Sequence, residues 1–261
     1  MSDRTSRMRL SIRAASVACL VLAGLGTVMA SPAGAVANGV PVPEGQYRFA
    51  VKLTMTDIPR TDGTHYNSAC SAALIAPEWI ITAGHCFHAA ARNRVSGPVP
   101  YPTTATVGRA DLTDTTGYVV NVVADYQSPT NDVAVARLDR PIRGIQPLRL
   151  PEIAPRIGEI LRIAGWGSLT DVNPAPATHL QTGQFKVVEI TDPVVGVVGY
   201  APQPDTSACT YDSGAPYFAE RRVGRAVLVS VESDGPACPH SQVETTSRVD
   251  TIVPWIRDTI R

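Results

Sequence analysis

Three separate stretches of this 261-residue chain carry side chains that could act together in nucleophilic catalysis. The stretches TAGHC, NDVAVA and CTYDSGAP supply His85, Asp132 and Ser213 in that order. A serine hydroxyl is a poor nucleophile until a neighbouring imidazole removes its proton, and a carboxylate can fix the tautomer of that imidazole. We therefore consider these residues as candidates for the general base, the orienting acid and the nucleophile.

Each stretch alone has a commoner structural explanation. A histidine beside a cysteine is usually structural, Asn-Asp is often a turn, and Asp-Ser-Gly is a frequent loop sequence. The three candidates lie 47 and 81 residues apart, so only the tertiary fold can bring them together. Their joint presence indicates hydrolytic chemistry. An α/β-hydrolase esterase is excluded, because its serine would sit in Gly-x-Ser-x-Gly and precede the acid and the histidine.

Short β-strands are predicted to position these residues. Apolar runs rich in β-branched residues recur along the chain and are separated by Gly, Pro, Asp, Asn or Thr, as in antiparallel all-β proteins. The 20 glycines and 22 prolines fit many turns, and the four prolines in the segment from Pro141 to Pro155 suggest a boundary between two parts of the chain. Helical spacing of apolar residues is found only at the C-terminal end, at Val249, Ile252, Val253, Ile256 and Ile260.

The first 35 residues are predicted to be a secretory signal. An arginine-rich start is followed by an apolar run over residues 14–30 and by a small-residue segment that ends in Ala-x-Ala at Ala35. Cleavage after Ala30 or Ala37 stays open as an alternative, and a membrane anchor is disfavoured because the run is short. We therefore expect a secreted, extracellular protein that has no membrane association after signal removal.

Charge and cysteine content narrow the class further. The chain has 23 basic and 23 acidic residues and no basic cluster, which argues against nucleic-acid binding. Removal of Cys19 with the signal leaves four cysteines, which allow three pairings in an exported protein. We expect the local pairs Cys70–Cys86 and Cys209–Cys238. A zinc site is disfavoured because the chain has no close Cys-x-x-Cys pair and its remaining histidines show no ligand spacing; we expect no metal and no cofactor.

From about residue 36 to its C-terminus the chain resembles the trypsin/chymotrypsin family of serine proteases. TAGHC matches the histidine motif of that family, with Cys70 as the disulfide partner of Cys86, and DSGAP matches its nucleophile stretch. The segments GWG at 165–167, VLVS at 227–230 and Trp255-Ile256 match its second-barrel entry, cleft strand and terminal helix.

The resemblance implies an all-β fold of two antiparallel six-stranded β-barrels with the active site between them. The N-terminal barrel is expected at about 36–145, the C-terminal barrel at about 146–248 and the C-terminal helix at about 249–261. In this arrangement His85, Asp132 and Ser213 become the catalytic residues.

The resemblance also implies an activation pair and an oxyanion hole. A newly cut N-terminus at Val36 would place its ammonium beside Asp212. The backbone N–H groups of Tyr211 and Ser213 would bind the oxyanion. Tyr211 departs from the family, which usually has glycine there. Because glycine tolerates a positive φ and tyrosine does not, a flipped peptide at Tyr211 would remove one donor and slow the enzyme.

Substrate preference is predicted from four pocket positions. Ser207 is expected at the pocket base, where trypsins carry an aspartate, and Ser230 on the cleft strand. Glu232 and Glu244 stand where the family usually has glycines, so an acidic wall would either recruit a basic side chain or block the pocket.

The sequence as a whole predicts a secreted serine endopeptidase that acts through an acyl-enzyme on peptides or proteins. A monomer is expected. The alternative is a protease-like binding protein with reduced or lost catalysis, which Tyr211, Glu232 and Glu244 favour.

Overall fold

A computed structural model of the chain describes residues 36–88, 93–221 and 226–261. The predicted signal at residues 1–35 lies outside these ranges. Within them the chain forms fourteen strands, two 3₁₀ turns and one α-helix. No helix of the described residues is long and apolar enough to cross a membrane.

The first barrel is built from strands in the N-terminal half of the chain. They are β2 (Ala50–Pro59), β3 (His65–Ala76), β4 (Trp79–Thr82), β5 (Ser96–Pro98), β6 (Thr103–Val107), β7 (Tyr118–Gln127) and β8 (Ala134–Leu138). The strands run antiparallel in the order β5-β7-β6-β2-β3-β4-β8, and pairing of β7 with β8 closes the six-stranded barrel with β5 added at one edge.

The second barrel repeats this plan. Its strands are β1 (Val40–Pro41), β9 (Ile160–Gly165), β10 (Gln181–Ile190), β11 (Val194–Ala201), β12 (Pro216–Glu220), β13 (Ala226–Asp234) and β14 (Glu244–Arg248). The order is β1-β10-β11-β14-β13-β12-β9, and pairing of β10 with β9 closes it. The prediction of two antiparallel six-stranded barrels is confirmed.

Alternation of apolar residues explains why these segments fold as strands. In β6 the side chains of Thr103, Ala105 and Val107 are buried while the residues between them are partly exposed, because successive side chains of a strand point to opposite faces. In β7 a register shift between Val122 and Ala124 interrupts the alternation. The fully buried Asp125 follows this shift, and burial raises the pKa of its carboxyl to about 7.

The C-terminal helix α1 (Val253–Thr259) follows a 3₁₀ turn at Asp250–Ile252. The side chains of Ile252, Val253 and Ile256 are buried, and they join a core cluster that contains residues of both barrels. The apolar stripe read from the sequence therefore attaches the helix to the body of the protein.

Both disulfides are the local pairs expected from the sequence. Cys70 is bonded to Cys86 and Cys209 to Cys238, with Cα–Cα distances of 6.4 and 5.4 Å. The first bond joins β3 to the turn that carries His85, and the second joins the segment before Ser213 to the segment after β13. Each disulfide thus fixes a segment that carries a candidate site residue.

Candidate active site

His85 and Asp132 are held against each other by two hydrogen bonds. His85 lies in the 3₁₀ turn Gly84–Phe87, directly after β4. Its Nδ1 is 2.7 Å from Asp132 Oδ2, and its backbone N–H donates to Asp132 Oδ1 at 2.8 Å. The close approach favours glycine at position 84, where a Cβ atom would lie 3.0 Å from Asp132 Oδ1. The local sequence Gly-His is therefore matched to the carboxylate opposite it.

Asp132 is kept ionised by its neighbours. Burial raises the pKa of its carboxyl, but the hydrogen bond and charge of His85 and a hydrogen bond from Ser233 outweigh this effect and lower the pKa to about 2. The Ser233 hydroxyl donates to Asp132 Oδ2 at 2.6 Å. A carboxylate at Nδ1 favours the imidazole tautomer that leaves Nε2 free to accept a proton.

Ser233 is a residue that the sequence analysis did not single out. It lies in β13, three residues beyond the VLVS segment that resembles the cleft strand. Only the strand register shows that Ser233 reaches the carboxylate, because the two residues are 101 positions apart in the chain.

Ser213 lies on a tight turn between Cys209 and β12. The turn is closed by bonds from Asp212 N–H to the Cys209 carbonyl at 2.8 Å and from Ala215 N–H to the Asp212 carbonyl at 2.7 Å. Gly214 has φ +80°, and a Cβ there would lie 2.0 Å from Thr82 Oγ1. The Asp-Ser-Gly sequence therefore packs directly on the strand that leads to His85.

One cleft of about 1000 Å³ is lined by all three candidates, His85, Asp132 and Ser213. Among the described residues, neither the Ser213 hydroxyl nor His85 Nε2 makes a hydrogen bond. Hydrogen bonds between catalytic groups are often long in unliganded proteins and shorten when substrate binds. The arrangement can support proton transfer from the serine to the imidazole during attack on a carbonyl carbon.

Tyr211 adopts the backbone conformation that glycine would take. Its φ is +77°, in the left-handed region that costs an L-residue about 1–2 kcal/mol. Among the described residues, the backbone N–H groups of Tyr211 and Ser213 donate to no other group, and both residues line the cleft. These two N–H groups are therefore available to an oxyanion.

Ser71 of β3 ties the nucleophile turn to the first barrel. Its hydroxyl donates to the Tyr211 carbonyl at 3.2 Å and accepts the backbone N–H of Trp166 at 2.9 Å. Its own backbone N–H donates to the Ser213 carbonyl at 2.9 Å. A single buried serine thus supports the turn that carries Ser213. No sequence motif marked this residue.

Asp212 and Val36 are brought together inside the second barrel. Asp212 is fully buried and accepts the N–H groups of Gly167 at 2.8 Å and of Cys209 at 3.1 Å, and it also accepts the Val36 backbone N–H. Burial outweighs these bonds and raises the pKa of Asp212 to about 7. A Cβ at Gly165 or Gly167 would lie 2.0–2.2 Å from the carboxylate, so the GWG sequence leaves room for it.

A second cavity of about 330 Å³ adjoins Ser213. Of the four residues predicted for the substrate pocket, the structure places Glu232 and Glu244 on its lining and the other two elsewhere. Ser207 is fully buried, and its hydroxyl accepts the His240 N–H at 3.2 Å. The Ser230 hydroxyl is inside the barrel and accepts a hydrogen bond from Thr246 at 2.7 Å.

The cavity is acidic. Two further carboxyl groups that sequence reasoning missed, those of Asp171 and Asp234, also line it. Burial and the nearby charge of Glu244 raise the pKa of Glu232 well above its usual range. Burial likewise raises the pKa of Glu244 to about 8. Among the described residues no cluster of His, Cys, Asp and Glu has the geometry of a metal site.

Comparison with known proteins finds a similarity that extends over most of the chain. Residues 36–256 match the family model described as Trypsin. Transmembrane protease serine 7 of Rattus norvegicus is 29% identical over 212 residues, which cover 72% of this chain and 25% of that protein. Transmembrane protease serine 9 of Rattus norvegicus is 31% identical over 216 residues, or 74% of this chain and 19% of that protein.

A shorter relative is matched over most of its own length. Thrombin-like enzyme elegaxobin-2 of Protobothrops elegans is 26% identical over 213 residues, which cover 73% of this chain and 85% of the relative. The present chain spans about a quarter of the length of transmembrane protease serine 7.

Proposed function

Because the chain belongs to the trypsin family of serine proteases, we propose that it is a secreted serine endopeptidase with His85 as general base, Asp132 as orienting acid and Ser213 as nucleophile. The observation that carries the proposal is the single cleft lined by these three residues, in which His85 is fixed by Asp132 at 2.7 Å. Its substrates would be peptides or proteins that lie along the cleft, and the active form is a monomer in this proposal.

The reaction proceeds through an acyl-enzyme. Ser213 Oγ attacks the peptide carbonyl carbon while His85 Nε2 takes the hydroxyl proton, and the ionised Asp132 stabilises the imidazolium. The N–H groups of Tyr211 and Ser213 bind the oxyanion, and His85 returns the proton to the leaving amine. Water activated by His85 then hydrolyses the ester and regenerates the serine.

Activation in this proposal follows from removal of the signal. Cleavage after Ala35 would expose the Val36 amine next to the Asp212 carboxylate, to which its backbone N–H already donates. Val36 is fully buried, and its φ of +59° is strained for a β-branched residue. A free N-terminus has no such dihedral restraint, so cutting relieves the strain and supplies a counter-charge for Asp212. N-terminal sequencing of the secreted protein tests this step; a start at Asn38 or Ser31 would contradict it.

A fluorophosphonate probe tests the catalytic assignment directly. We expect covalent labelling of residues 36–261, loss of labelling in Ser213→Ala, and retained labelling in Ser96→Ala, which changes an exposed serine of the edge strand β5 that does not line the cleft. Absence of labelling in a folded sample with both disulfides intact would support the alternative, a protease-like binding protein.

A further inference from the structure

A second histidine lies beside the candidate catalytic base. His88 follows the 3₁₀ turn Gly84–Phe87, and its backbone N–H donates to the His85 carbonyl at 3.3 Å. Because a 3₁₀ helix has three residues per turn, side chains three positions apart lie on the same side of it. The two imidazole rings accordingly meet edge to face, with 6.5 Å between their centroids and an angle of 74° between their planes. His85 therefore has a second neighbour besides Asp132.

Hydrogen bonds hold the His85 ring from one side only. Asp132 Oδ2 lies 2.7 Å from Nδ1, whereas Nε2 makes no hydrogen bond among the described residues. The His85 side chain is 35% exposed, so a ring held at a single nitrogen can still tilt toward solvent. Because a general base must lie within hydrogen-bond reach of the proton it removes, such a tilt would slow proton transfer from Ser213. A contact on the second side of the ring would prevent the tilt.

Two polar side chains of β7 are buried near His88. Asp125 and Gln127 are two positions apart, so both point to the same face of the strand, and they are 0% and 9% exposed. The register shift between Val122 and Ala124 exchanges the two faces of the strand and turns these residues inward. Gln127 Nε2 donates to Asp125 Oδ2 at 3.4 Å. The buried carboxyl therefore holds the amide that lies next to His88.

One acceptor of this amide has no donor. Gln127 Oε1 is buried, and no described group donates to it at normal hydrogen-bond geometry. Burial is the main reason that the pKa of His88 is lowered, so its ring is neutral and has one N–H to donate. The charges of His85 and Arg94 also lower this pKa, whereas the Asp132 charge and hydrogen bonding to the Gln127 side chain raise it. The His88 ring and the Gln127 amide are thus close enough to interact, and rotation of either would complete the bond.

Two other donors near this pair point to backbone carbonyls. The Tyr101 hydroxyl donates to the Cys86 carbonyl, and the exposed Arg94 guanidinium donates to the Ser128 carbonyl. Among the described residues, these contacts leave the ring of His88 as the donor for the buried amide.

We propose that His88 is a positioning residue for His85, and that the buried pair of Gln127 and Asp125 fixes the His88 ring in this role. The inference rests on the proposed function and extends it. Asp125 accepts the Gln127 N–H, Gln127 Oε1 accepts the His88 N–H, and the His88 ring packs on His85. The base is then held between Asp132 on one side and His88 on the other, with Nε2 directed to the cleft.

Kinetics with a small ester substrate test the positioning role. His88→Ala should lower kcat about 2- to 10-fold, the effect of losing one edge-to-face ring contact. KM should stay unchanged, because His88 acts on His85 and not on the substrate. His88→Phe keeps an aromatic ring and should recover part of the loss. The control His65→Ala removes an exposed histidine that does not line the cleft and should have the wild-type kcat.

Three results would overturn the assignment. They are an unchanged kcat in His88→Ala, a change that falls mainly on KM, and an equal loss of kcat in His88→Phe and His88→Ala. Active-site titration and urea denaturation of each variant ensure that kcat refers to folded protein.

A double-mutant cycle tests the connection to β7. Gln127→Leu removes the acceptor while keeping a side chain of similar size, and it should lower kcat by no more than His88→Ala does. Because both changes break one chain of contacts, the double variant should have the kcat of His88→Ala. Losses that simply multiply would contradict the role of the buried pair. If Gln127→Leu does not fold, the comparison of alanine and phenylalanine at position 88 decides alone.

Fluorophosphonate labelling separates this inference from the proposed function. If wild type is labelled but His88→Ala keeps the wild-type kcat, the positioning inference fails and the endopeptidase assignment stands; if wild type is not labelled, the endopeptidase assignment fails first.

Discussion

Replacement of Tyr211 by glycine and, in parallel, by alanine tests how a tyrosine is tolerated at the oxyanion position. The residue has φ +77°, a conformation that costs an L-residue about 1–2 kcal/mol and glycine almost nothing. Alanine keeps the Cβ and therefore the backbone cost, but removes the ring. The difference in stability between the two variants therefore reports the cost of the positive φ separately from the packing of the tyrosine ring.

The expected magnitude follows from two opposing terms. Glycine relieves about 1–2 kcal/mol of strain in the folded state, but it adds about 0.5–1 kcal/mol of conformational entropy to the unfolded state. Tyr211→Gly should therefore be more stable than Tyr211→Ala by about 0.5–1 kcal/mol. Because the Tyr211 N–H donates to no other described residue and Tyr211 lines the cleft in the wild type, kcat of the glycine variant should rise less than about tenfold.

Urea denaturation measures the free energy of unfolding. Hydrolysis of a small ester substrate measures kcat on the same preparation, whose active sites have been titrated. If Tyr211→Gly were less stable than Tyr211→Ala by about 0.5–1 kcal/mol, the entropy effect alone, position 211 would not be strained. A rise in kcat of about 10²–10³ in Tyr211→Gly would refute the reasoning on the oxyanion hole, since that is the effect of restoring a missing oxyanion donor.

Three further predictions concern polar groups around the candidate site. Ser233→Ala removes the 2.6 Å bond to Asp132; it should raise the pKa of that carboxyl and lower kcat about 10-fold, measured as a pH–rate profile, and an unchanged profile contradicts this. Ser71→Ala leaves the buried Trp166 N–H without its acceptor and should lower the free energy of unfolding by about 1–3 kcal/mol in urea; no change would disprove its supporting role. Glu232 has a folded-state pKa well above the usual 4.5, so the folded protein binds a proton that the unfolded chain releases, and stability should fall as pH rises from about 5 to 8. Glu232→Gln should make this decline shallower by up to about 1.4 kcal/mol per pH unit; an equal decline in wild type and variant, measured by urea denaturation across this pH range, would contradict it.

Much of the fold could be predicted because its signals are local. Alternating burial in strands such as β6 and the apolar stripe of the C-terminal helix depend on the spacing of residues close in sequence. The motifs themselves show that glycine occurs at these positions. The reason for glycine lies on other segments of the chain: a Cβ would come close to Asp212 in the GWG motif, to Asp132 in the His motif and to Thr82 in the Ser motif.

The details of the pocket could not be predicted by counting along the chain. Ser230 was placed in the pocket by its position on the cleft strand, but its hydroxyl bonds to Thr246 inside the barrel. Ser207 was expected at the pocket base but is fully buried away from the cavity. Which face of a strand meets the cavity depends on register, and β13 shifts register against β14 between Glu232 and Asp234.

The sequence by itself determined the family, the two-barrel class and the three candidate catalytic residues, because each is expressed in a short motif whose order along the chain is distinctive. The tertiary structure alone decided what surrounds them: Ser71 from the other barrel supporting the nucleophile turn, Ser233 on Asp132, and Glu244 on the backbone N–H of Ala208. These contacts join residues far apart in the chain, and their distances are set by strand register and barrel closure, which no local pattern specifies.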